Sequence, residues 1–114
     1  MHDEPFAPIF VEGRIAAVGA AQMKDAVLAA ITRLPYDVIV GAGEAIEASL
    51  RLTSGRLIDL TPQIVSTDDA IGLHVMFHGV VAQDHGEIQA IGKNLIQNAT
   101  FNAAVLHARA AAAA

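Results

Sequence analysis

One stretch leaves this chain little freedom in how it folds: Ile71 to Val81. Ile71, Leu73, Val75, Phe77 and Val81 fall on one side of an extended backbone, and His74, Met76 and His78 fall on the other, because successive strand side chains point to opposite faces. A strand divided in this way buries one side, so its sheet needs cover on one face only. The cover follows at once. Ile88, Ile91, Leu95, Ala99, Ala103 and Leu106 recur at helical spacing, with Ile96 and Val105 as a second, partial stripe. Asp84 and Glu87 stand three residues apart ahead of that stripe, the spacing of a capping box, so the helix is expected to begin there. Gly92 interrupts it at a cost of about 1 kcal/mol relative to alanine, which suits a kink or a close packing contact.

The rest of the chain reads by the same two periods. Ile9 to Val18 is a short extended piece, punctuated by Gly13 and Gly19. Ala20, Met23, Val27, Ile31 and Leu34 form a one-sided helical stripe that stops before Pro35, since the residue preceding a proline is pushed out of helical space. Asp37 to Val40 is a compact β-branched run, expected as a buried strand closed by Gly41-Ala42-Gly43. The next segment supports two readings. At period two, Ile46, Ala48, Leu50 and Leu52 face one way and Glu47, Ser49 and Arg51 the other. With Thr53-Ser54-Gly55 and the run Arg56 to Leu60 they make a hairpin, its glycine at the left-handed position of a three-residue loop. At period 3.6, Glu44 to Leu52 is a short helix of good helix formers. The hairpin is the preferred reading. Pro62 and the polar Ser66-Thr67-Asp68-Asp69 mark a turn before the alternating strand. The expected fold class is α+β: a mostly antiparallel sheet of four to five strands with two helices packed on one face. Residues 1–8 are expected as a flexible N-terminal arm, 9–109 as a single domain and 110–114 as an alanine-rich tail, either helical or frayed.

Apolar residues make up 54% of the chain and charged ones 17%, against roughly 45–50% and 25% in soluble domains. A domain of 114 residues holds one core and cannot hide so large an apolar share inside it. Contact between copies of the same chain, a homo-oligomer, is the expectation; the alternative is that alanine inflates the count. The net charge is −5, and Arg14, Lys24, Arg33, Arg51, Arg56, Lys93 and Arg109 are scattered singly. No basic stripe is present to neutralise phosphates, so neither nucleic acid nor an anionic membrane is an expected partner. With no cysteine, disulfides and thiolate metal sites are excluded, which suits a reducing compartment. No apolar run approaches a membrane span, and the acidic Met1-His2-Asp3-Glu4 start lacks the pattern of a secretion signal. A cytoplasmic protein is expected.

Three groups of residues could carry chemistry. Tyr36 to Ile46 looks like the opening of a dinucleotide-binding fingerprint, strand then Gly-x-Gly turn then helix, with Gly41 and Gly43 as cofactor-binding candidates and Asp59 near the place of a ribose-binding acid. Ile46 stands where the third glycine belongs and Glu44 would set negative charge beside phosphates; a strand ending in a tight glycine turn is the plainer reading. His74 and His78 would chelate a metal on a helix, but on a strand their rings lie about 13 Å apart, too far for one zinc. No metal site is expected. With Met76 they are ligand-binding candidates, lining a groove between subunits; otherwise they are half-polar side chains on the open side of a sheet. His85, between Asp84 and Glu87, is the candidate general base, although capping already accounts for both acids. No cofactor is identified. Gln89, Asn94, Gln97, Asn98, Thr100 and Asn102 replace charges on the last helix, as suits partial burial against a neighbour.

Two short likenesses complete the reading. Glu87-Ile88-Gln89-Ala90-Ile91-Gly92 before an alanine-rich helix resembles part of the small Alba-like sporulation proteins, without the helix that precedes it there. Pro35-Tyr36-Asp37-Val38-Ile39-Val40-Gly41, with Leu73-His74-Val75 ahead of a helix, is similar to phage tail-completion proteins in the order of its elements. No residue role is carried over from either. The expectation is a non-catalytic, homo-oligomeric assembly or structural subunit of a ring, tube or shell, packing through a sheet edge and the last helix. A charged residue at Ala99 or Ala103 should then separate the subunits. The alternative is a small-molecule-binding protein or compact enzyme with an inter-subunit site built from His74, Met76, His78 and His85; a nucleotide-binding module using Gly41 and Gly43 is a third reading.

Overall fold

A computed structural model of the chain describes residues 9–13, 20–41, 43, 45–66 and 71–113. In chain order the elements are β1 (Ile9–Gly13), α1 (Ala20–Thr32), β2 (Val38–Val40), β3 (Ala48–Arg51), β4 (Leu57–Ser66), β5 (Ile71–His78), one 3-10 turn (Ala82–Asp84) and α2 (His85–Ala113). The strands form one sheet in the order β1-β5-β4-β3-β2, antiparallel throughout. Both helices cover the same face, as the alternating strand requires. Leu73, Val75 and Phe77 of β5, Ile58 and Leu60 of β4 and Leu50 of β3 are buried against Val27 and Ile31 of α1 and Ile88, Ile91 and Leu95 of α2. Each such side chain contributes about 1.5–3 kcal/mol when removed from water.

The ambiguous segment is a hairpin. Arg51 pairs with Leu57, the Leu52 N–H donates to the Arg56 carbonyl, and the Gly55 N–H donates to the Leu52 carbonyl at 2.9 Å. Gly55 takes φ +91°, the left-handed conformation a three-residue loop asks of its last position. Helix α1 ends with the Leu34 N–H on the Ile31 carbonyl, just ahead of Pro35. The alanine tail continues α2 as far as Ala113.

Four expectations are corrected. Pro62 marks no turn: it lies inside β4, opposite Val75. β3 pairs with β4 only as far as Leu60, so Pro62 is paired on one side alone, the edge-like position in which a sheet tolerates proline. β2 is not a buried central strand but an edge, with Ile39 71% exposed. β5 ends at His78 because Gly79, at φ +82°, breaks the alternation, and Val80 is buried where Val81 was expected. Ala99 and Ala103 face the chain's own interior and are fully buried, so a charge there would attack the core and not a subunit contact. The N-terminal arm and residues 67–70 lie outside the described residues.

Candidate functional site

The sheet face away from the helices carries a row of polar side chains. Strand register sets Ile39 opposite Ser49, Ser49 opposite Asp59 and Asp59 opposite His78, one row across four strands spaced about 4.8 Å apart. These residues, with Gly41, Glu47 and Thr61, line a depression of about 410 Å³. The Ser49 hydroxyl donates to Asp59 Oδ1 at 2.7 Å. A serine nucleophile needs an imidazole between itself and the carboxylate, and here the carboxylate sits in the middle. The row therefore lacks the serine–imidazole–carboxylate order of that triad. Arg51, on the same face, turns Nη1 to the Gly55 carbonyl at 2.7 Å.

The histidines separate. His78 lines the depression, while His74 and Met76 lie farther along β5, opposite Gln63 and Thr61. All three are half-buried on the face predicted for them. His85 is exposed as the first residue of α2, in the helical layer, so it does not join the other histidines. Among the described residues no three of His, Asp and Glu come together to hold a metal ion.

The acids flanking His85 are engaged elsewhere, which replaces the capping box. Asp84 is buried and accepts from Arg56 Nε at 2.8 Å. Glu87 reaches across to the hairpin: it accepts from the Tyr36 hydroxyl at 2.9 Å, the Thr53 N–H at 3.1 Å and the Thr53 hydroxyl at 2.9 Å. The Thr53 N–H holds the Glu87 carboxyl below the usual carboxylate range, opposed by partial burial and assisted by Tyr36 and the Thr53 hydroxyl. Burial, then the hydrogen bond to Glu87 and its charge, push the Tyr36 phenol up. The cluster ties three segments together.

Gly41 and Gly43 follow a strand, as the fingerprint asks, but no helix follows them. The Gly41 N–H donates to the Glu47 carbonyl at 2.7 Å, and the described residues after Gly43 lead into β3. Phosphate would meet no helix N-terminus there. Glu47, Ser49 and Thr61 were not singled out in the sequence; the period-two hairpin places Glu47 and Ser49 on the polar face, and only the register brings them to His78. No helix among the described residues is long and apolar enough to cross a membrane. No protein family matches the chain, and no curated protein or solved structure is significantly similar to it, so the two short likenesses extend to no family assignment.

Proposed function

We propose that the protein is a non-catalytic, homo-oligomeric assembly subunit of the ring, tube or shell type. The observation that carries this reading is the outer surface of α2. Between Lys93 and Arg109 fifteen residues pass without an Asp, Glu, Lys or Arg, yet Asn94, Gln97, Thr100, Phe101, Ala104 and Ala108 stand in solvent. A helix face meant for water normally carries charge; an uncharged one with an exposed phenylalanine suits burial against a neighbour. Light scattering tests it. The native particle is expected to weigh several times the 11.9 kDa chain at micromolar concentration and moderate salt, and a mass no heavier than one chain overturns the reading.

The second reading, a small-molecule site lined by histidine, draws support from the depression beside His78. His74→Gln with His78→Gln separates the two. An assembly subunit keeps its particle mass and has no ligand to lose, whereas loss of a co-purifying small molecule without unfolding would favour the binding reading.

A further inference from the structure

Among the described residues the large hydrophobic side chains left in solvent are Ile39, Leu57 and Phe101, at 71%, 54% and 65% exposure. They do not form one patch. Leu57 alternates with the buried Ile58 and shares the open face of the sheet with Asp59. Ile39 lies between Val38 and Val40, which pack toward the core, so it points to that open face too. Phe101 lies between the buried Ala99 and Ala103 on α2, and at about 100° per residue it points away from the sheet with Gln97, Ala104 and Ala108. Ile39 and Leu57 lie two strands apart, on either side of Ser49 and Arg51 of β3, and together with Phe101 they place exposed apolar side chains on opposite sides of a two-layer domain.

Their charges are complementary. From Ile88 to Ala113 the only Asp, Glu, Lys or Arg residues of α2 are Lys93 and Arg109. Both are exposed, each eight residues from Phe101 and so about 12 Å to either side along the helix. The open sheet face carries Glu47 and Asp59 in its depression, against one cation among the described residues, Arg51, which lies opposite Leu57 and turns its guanidinium to the Gly55 carbonyl. A sheet bare on one side and a helix with an uncharged outer face are the two halves of one helix-on-sheet layer.

We propose that the open sheet face of one copy receives the outer face of α2 from a second copy, with Phe101 seated between Ile39 and Leu57, across β3. This rests on the self-assembly reading and adds its geometry. Because donor and acceptor surfaces differ, the contact is heterologous and propagates into a ring or filament instead of closing as a two-fold dimer.

The cysteine-free chain makes a clean test. Phe101→Cys and Leu57→Cys are purified separately, mixed, and treated with a short bis-maleimide. Cross-linked dimer is expected in the mixture and not in either variant alone, and a chain carrying both cysteines is expected to give a ladder of covalent multimers. Phe101→Glu is expected to reduce the native particle to one chain while leaving the circular dichroism spectrum unchanged, since the position is exposed. Efficient cross-linking of either single variant with itself, or an undiminished particle for Phe101→Glu, overturns the proposal while leaving self-assembly intact. A wild-type monomer would remove both.

Discussion

The buried end of the Arg56–Asp84 pair predicts an asymmetry that a mutation series can measure. The Asp84 side chain is 4% exposed and that of Arg56 38%, with Nε 2.8 Å from Oδ2. Arg56→Met strands an almost fully buried carboxylate; breaking a fully buried pair costs about 3–5 kcal/mol, and with the arginine 38% exposed the low end, about 3 kcal/mol, is expected here. Asp84→Asn instead frees a guanidinium that is already partly hydrated, and leaves an amide at the buried position, for about 1–2 kcal/mol. Against a total stability of about 6–17 kcal/mol for a chain of this length, the first change removes a large share and the second a small one. The double variant is expected to be no less stable than Arg56→Met alone, because the stranded charge is gone. Urea unfolding followed by circular dichroism gives all four corners of the cycle, at one fixed protomer concentration because association stabilises the native state. If Asp84→Asn proves as damaging as Arg56→Met, or the double variant falls by the full sum, desolvation of Asp84 is not what the pair relieves.

Three further outcomes are expected. Glu87 has a depressed folded-state pKa, so its stabilisation is fully present above the ordinary carboxylate value of about 4.3 and is lost as pH falls through the lower folded value; melting temperatures between pH 5 and 3 should fall less steeply in Glu87→Gln than in the wild type. Gly55→Ala, at φ +91°, should cost about 1–2 kcal/mol despite open space around it, whereas Gly43→Ala, where an added Cβ also meets nothing within 4 Å and φ is not left-handed, should be neutral or stabilising by up to about 1 kcal/mol; thermal denaturation separates them. Ala103→Glu puts a charge into a fully buried position and should lose at least about 4 kcal/mol, visible as unfolding by circular dichroism, not as a folded monomer.

Legibility followed burial. Where one face of an element is buried, the period in the sequence is fixed by packing, and the helices, β5 and the hairpin were readable from Ile31, Leu95, Phe77 and Leu50. Pro62 misled because a proline's tolerance depends on whether a neighbouring strand is present, and the point where β3 leaves β4 is a tertiary fact. Asp84 and Glu87 misled for a related reason: their spacing suits a cap, but Arg56, Tyr36 and Thr53 arrive from distant parts of the chain and compete successfully for the carboxylates. The row from Ile39 to His78 was illegible because it needs three registers at once, and a slip of one residue in any of them sends a member to the other face.

Strand count bears on how copies can join. Five strands, all antiparallel, leave the two edge strands β1 and β2 running in the same direction. Copies related by a rotation that preserves strand direction would set β2 beside the next copy's β1 in parallel. Parallel pairing is weaker per residue and is found in sheets covered on both faces, and this sheet is covered on one. β2 offers three residues, about 10 Å of ladder, a length that blunts an edge against pairing. Two-fold pairing of β2 with β2 would restore the antiparallel ladder, but it closes at two copies and leaves a dimer with β1 at both ends. In a ring or tube of the kind proposed, contact between the open face and the helix behind the next sheet is therefore the arrangement this topology favours, because the three-residue β2 offers too short an edge for the sheet to extend by strand pairing.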